Sequence, residues 1–97
     1  MRLTEIEKKS IIDTIAIIDP EAEIYLYGSR CNDNKGGGDI DIAIVSDKIS
    51  KTDKSKIRLA LYDLIGEQKI DIISGKTNMS PFLQKAVLTG VLLNEKS

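Results

Sequence analysis

The chain has 97 residues, 41% of them hydrophobic, and a formal net charge of −1. That suits one small core over residues 1–97 and argues against unaided nucleic-acid binding, which needs a basic excess. It has no histidine and one cysteine, Cys31, which excludes Ser-His-Asp and Cys-His catalytic sets, zinc sites of the usual His/Cys kind and an internal disulfide.

The opening residues MRLTEIEKKS are charged and lack a signal-peptide core, and no apolar run reaches the ~20 residues of a membrane span. A cytoplasmic protein without membrane contact is the expectation. Thr4 to Ile18 reads as a helix. Thr4 and Glu7 fit a capping box, and Ile11, Ile12, Ile15 and Ile18 form an apolar stripe. Asp19-Pro20 ends it. Ala22 to Tyr27 reads as a strand, with Ala22, Ile24 and Leu26 on one face and Glu23, Tyr25 and Tyr27 on the other. Gly28-Ser29 breaks the strand, and Ser29 to Asn34 fits one helical turn that aims free backbone amides at an anion. Lys35-Gly36-Gly37-Gly38 is a loop, equally readable as a plain hairpin connection.

Asp39 to Val45 reads as the second strand: Asp39, Asp41, Ala43 and Val45 share one face, and Ile40, Ile42 and Ile44 the other. After the polar connection from Ser46 to Lys51, Thr52 to Ile65 carries the clearest helical stripe, Ile57, Ala60, Leu61, Leu64 and Ile65, with Gly66 as C-terminal cap. Lys51, Lys54 and Arg58 read as a solvated outer face. Lys69 to Ser74 is the third strand, with Asp71 between Ile70 and Ile72. Ser80-Pro81 opens the last helix, with Phe82, Leu83, Ala86 and Val87 as its apolar side and Gly90 as its end. Val91-Leu92-Leu93 should return to the core as an edge strand, and Asn94 to Ser97 should fray.

An unpaired carboxylate inside an apolar strand is costly, so Asp71 needs a solvated edge or a positive neighbour. A helical crossover between the second and third strands makes them parallel neighbours and brings Asp71 near Asp39 and Asp41. Carboxylates two residues apart stand about 7 Å apart along a strand, close enough for their oxygens to converge on hard divalent ions. Alternation alone fits equally a polar strand end that holds no metal.

Tyr27-Gly28-Ser29-Arg30, Asp39-Ile40-Asp41-Ile42-Ala43-Ile44-Val45, Ile70-Asp71-Ile72 and the closing Leu88-Thr89-Gly90-Val91-Leu92-Leu93 occur in this order. Together they resemble the nucleotidyltransferase superfamily that includes DNA polymerase beta, and more closely its minimal nucleotidyltransferase (MNT) branch. The resemblance spans nearly the whole chain and implies an α/β (α+β) fold in the order α-β-(short α)-β-α-β-α. The loop departs from the branch: Cys31-Asn32-Asp33-Asn34 replaces a common Arg-Gly, and Gly38 stands where Ser or Thr often precedes the first Asp.

The resemblance also implies roles. Asp39 and Asp41 would bind two Mg²⁺ ions, with Mn²⁺ as a substitute. Asp71 would complete the metal site that activates the acceptor hydroxyl. Gly28, Ser29 and Arg30 would contact the triphosphate of ATP or another nucleoside triphosphate. MNT proteins of this size commonly accompany a HEPN-domain toxin, so the implied function is an antitoxin enzyme that transfers AMP to a hydroxyl of that toxin, a tyrosine first. The alternatives are an idle module that neutralises its partner by docking alone, or a transferase acting on RNA or a small molecule.

Overall fold

The computed structural model describes residues 3–28, 40–66, 69–76 and 80–94. The expected helical turn from Ser29 to Asn34 and the glycine loop lie outside them. The elements are α1 (Glu5–Ile18), β1 (Glu23–Tyr27), β2 (Ile40–Val45), α2 (Lys51–Ile65), β3 (Ile70–Gly75), α3 (Pro81–Thr89) and β4 (Val91–Leu92).

Local chemistry sets the helix ends. The Thr4 hydroxyl accepts the Glu7 N–H at 3.0 Å and Glu7 Oε1 accepts the Thr4 N–H at 2.9 Å, the reciprocal cap expected from the sequence. A second such box starts α2 one residue earlier than periodicity suggests. The Ser50 hydroxyl accepts the Asp53 N–H and Asp53 Oδ2 accepts the Ser50 N–H, both at 3.0 Å. The backbone and hydroxyl of Ser50 hold the Asp53 carboxyl below its ordinary pKa. Ser80 caps α3, with Pro81 in its first turn.

The four strands form one mixed sheet in the order β3-β2-β1-β4. β2 pairs antiparallel with β1 and parallel with β3, and β4 pairs antiparallel with β1. Two-residue alternation splits the sheet into unlike faces. Ile24, Leu26, Ile40, Ile42, Ile44, Ile70 and Ile72 pack on Ile11 and Ile15 of α1 and Ile57 and Leu61 of α2. On the other face Ala43 packs with Leu83 and Ala86 of α3, bordered by Tyr25, Tyr27 and Ile73. Two helices therefore cover one face, and among the described residues only the short α3 crosses the face that carries Asp41 and Asp71.

Four sequence expectations need correction. Leu64 is 57% exposed and Phe82 60% exposed, so each lies at the edge of its helix's stripe, and Phe82 meets the sheet only through the edge-to-face contact with Tyr27. Arg58 is half-buried, and its Nε–H donates to the Ile70 carbonyl at 2.9 Å, so this cation caps the start of β3. Asn94 is pinned rather than frayed: its Oδ1 accepts the Ile24 N–H at 2.9 Å and its Nδ2 donates to the Ala22 carbonyl at 2.7 Å. Asp19 does more than end α1. It is buried, its Oδ2 accepts the Ser46 hydroxyl at 2.5 Å and its Oδ1 accepts the Glu21 N–H at 3.0 Å, which ties the end of α1 to the end of β2.

Gly90 has a reason beyond stopping a helix. A Cβ there would lie 2.6 Å from the Ala86 carbonyl oxygen and 2.7 Å from that of Leu26. Both neighbours are backbone and cannot turn aside. Gly90→Ala is expected to lose about 1–3 kcal/mol of stability, read as a fall in Tm of about 4–8 °C per kcal/mol on thermal unfolding. An unchanged Tm would contradict this close approach.

Candidate active site

Three strands bring three side chains into one row. Asp41 on β2 is the register partner of Tyr27 on β1 and of Asp71 on β3. All three project from the sheet face that α3 partly covers, since they alternate with the core residues Leu26, Ile40, Ile42, Ile70 and Ile72. Neighbouring strands lie about 4.8 Å apart, so the Asp41 and Asp71 carboxylates stand side by side. Asp41 is half-buried and Asp71 exposed, a solvated edge that lets Asp71 stay charged within an apolar strand. Burial first, and then the negative charges of Asp41 and Asp71, hold the Tyr27 phenol above its ordinary pKa. One phenol thus senses both carboxylates.

Gly28 follows Tyr27 with φ +77°, a left-handed conformation that favours glycine. A Cβ on Gly28 would overlap Asp41 Oδ2. The missing side chain lets the end of β1 lie directly against this carboxylate.

Of the residues expected at the site, the structure therefore places Gly28, Asp41 and Asp71 together. Ser29, Arg30 and Asp39 lie outside the described residues. Among the described residues no group of three or more His, Cys, Asp or Glu is arranged to hold a metal; the described donors are the Asp41–Asp71 pair. Their chemistry, paired carboxylate oxygens open to solvent on one side, suits a hard divalent ion that keeps several waters, as Mg²⁺ does. Tyr27, Phe82 and Lys85 border this site and were not singled out from the sequence as site residues. The alternation that puts Tyr27 on the aspartate face was the available signal for the first.

An α/β unit with a mixed sheet, two carboxylates in register on adjacent parallel strands and a glycine turn against one of them is a nucleotidyltransferase fold. The chain matches the polymerase beta nucleotidyltransferase family over residues 6–97 and belongs to it. Its activity is accordingly of the nucleotidyltransferase type, a family that uses nucleoside triphosphates and generally divalent metals. No curated protein matches the chain. Among the described residues no helix is long and apolar enough to cross a membrane.

Proposed function

We propose that the chain transfers AMP from ATP to a hydroxyl, a tyrosine in the first instance, of a HEPN-domain toxin and thereby acts as its antitoxin. The observation that carries the chemistry is the registered pair Asp41–Asp71 beside Gly28. The resemblance of Tyr27-Gly28-Ser29-Arg30 and Asp39-Ile40-Asp41 to the MNT branch supports the choice of acceptor. The domain is read as a single unit over residues 1–97, working in the cytoplasm.

In this reading Asp41 and Asp71, with Asp39, would hold two Mg²⁺ ions. When bound, such ions neutralise the triphosphate and lower the pKa of the attacking hydroxyl. Gly28 lets the backbone approach the β- and γ-phosphates, Ser29 binds them through its amide and hydroxyl, and Arg30 adds a positive contact. The acceptor oxygen forms a bond to the α-phosphorus, the bond from that phosphorus to the bridging oxygen breaks, and pyrophosphate leaves. The hydroxyl proton passes to Asp71, the more exposed carboxylate, directly or through water. The reaction is thus mainly positioning and charge neutralisation.

The test is to incubate the chain with a HEPN-domain partner, ATP and Mg²⁺ or Mn²⁺, and to weigh the intact partner. One added AMP is expected with the wild-type chain and none with Asp41→Asn. No mass increase with either metal rejects transfer to this acceptor. If an Asp41→Ala/Asp71→Ala variant also neutralises the toxin fully, docking alone is the function.

A further inference from the structure

Packing does not account for the side of α3 that borders the aspartates. Leu83 and Ala86 bury against the sheet, whereas Phe82, Lys85 and Thr89, spaced i, i+3 and i+7, run along one side of the helix. With Tyr27, Gly28 and Ala86 they line a cavity of about 240 Å³. Phe82 meets Tyr27 edge to face, with ring centroids 6.1 Å apart and planes at 83°, and still leaves 60% of its surface exposed. The cavity adjoins the site: of its lining residues, Tyr27 is the register partner of Asp41 and Gly28 lies against the same carboxylate.

We infer that this groove receives the base of the nucleotide, which lies against Phe82 and Tyr27 on the α3 wall. The inference rests on the nucleotidyl-transfer reading and adds a base site to it. Aromatic walls stack on the π-face of any base. The cavity is smaller than the about 300–1,000 Å³ that encloses a whole drug-sized ligand, so it fits one ring system and not a nucleotide with its phosphates. Lys85 also lines the cavity, and its positive charge complements the phosphates joined to a base that lies here. A protein acceptor's tyrosine ring is the rival occupant; it is as uncharged as a base but brings no attached phosphates for Lys85 to meet.

Binding to the full chain is measured calorimetrically with two probes, ATP and inorganic tripolyphosphate, each with Mg²⁺. Phe82→Ala should weaken ATP about tenfold, the scale of one base–aromatic stack, and leave tripolyphosphate binding unchanged. Phe82→Trp should keep ATP binding, and Leu88→Ala, on an 84% exposed position of the same helix, should change neither. Equal losses for both probes, or unchanged ATP binding in Phe82→Ala, overturn the base site. Unchanged ATP binding with a raised KM for the acceptor reassigns the groove to the acceptor. Absence of transfer to a HEPN partner while the Phe82 effect on ATP persists rejects only the acceptor assignment; no binding of either probe rejects both readings.

Discussion

Asp41→Asn is expected to reduce nucleotidyl transfer by about a thousandfold or more while the chain keeps its fold, because metal-assisted charge neutralisation contributes several kcal/mol to such a transition state. Asn has nearly the same shape as Asp and cannot serve as an anionic metal ligand. Asp41 is half-buried between Tyr27 and Asp71 and against Gly28, so the change removes charge where neighbours on three sides are fixed. A binding readout separates this from a folding defect. A ligand held at a hundred times its Kd stabilises the folded state by about 2.7 kcal/mol. On a chain of this size that raises Tm by about 4–8 °C per kcal/mol. Saturating Mg²⁺ or Mn²⁺ should raise the Tm of the wild type and not that of Asp41→Asn. Equal metal-dependent shifts in both proteins would remove Asp41 from the metal site.

The second large effect is expected from Gly28→Ala, which should lower stability and activity together. Its φ of +77° costs an L-residue about 1–2 kcal/mol, and the added methyl would also overlap Asp41 Oδ2. The carboxylate must then turn or the end of β1 must lift, and either disturbs the site. A double-mutant cycle resolves the two contributions. In an Asp41→Ala background the clash is gone and only the backbone strain remains, so Gly28→Ala should destabilise less there than in the wild type. Equal losses in the two backgrounds would mean that this turn needs Gly28 for its backbone conformation alone and not for its approach to Asp41.

Periodicity made the two faces of the sheet legible, since Ile40, Ile42 and Ile44 alternate with Asp41, Ala43 and Val45 and only one set can enter a core built on α1 and α2. It also made the Thr4–Glu7 cap, the parallel β2–β3 pairing and the edge strand at Val91 readable. What it could not supply are contacts between residues far apart in the chain. The Asp19–Ser46 hydrogen bond joins positions 27 residues apart and the Asn94–Ile24 bond positions 70 apart; no local pattern announces either. A helical stripe states which residues point inward but not how completely its margins are covered, so Leu64 and Phe82 read as core and lie exposed. In the candidate site, Asp41, Asp71 and Gly28 were readable because each breaks a local rule. A carboxylate in an isoleucine-rich strand and a glycine at a strand end both call for an explanation beyond packing.

The registered aspartates have a consequence for folding fidelity as well as for chemistry. A parallel strand rich in isoleucine can slide on its neighbour with little loss of backbone pairing. In β3, a slip of one residue would exchange the two faces of the strand and drive Asp71 into the layer where Ile42, Ile57 and Leu61 meet. An unpaired carboxylate there would cost several kcal/mol, a large part of what a small domain has to spare. The same residue that the proposed function assigns to a metal ion therefore penalises the one-residue misalignment of β3, with no ligand needed.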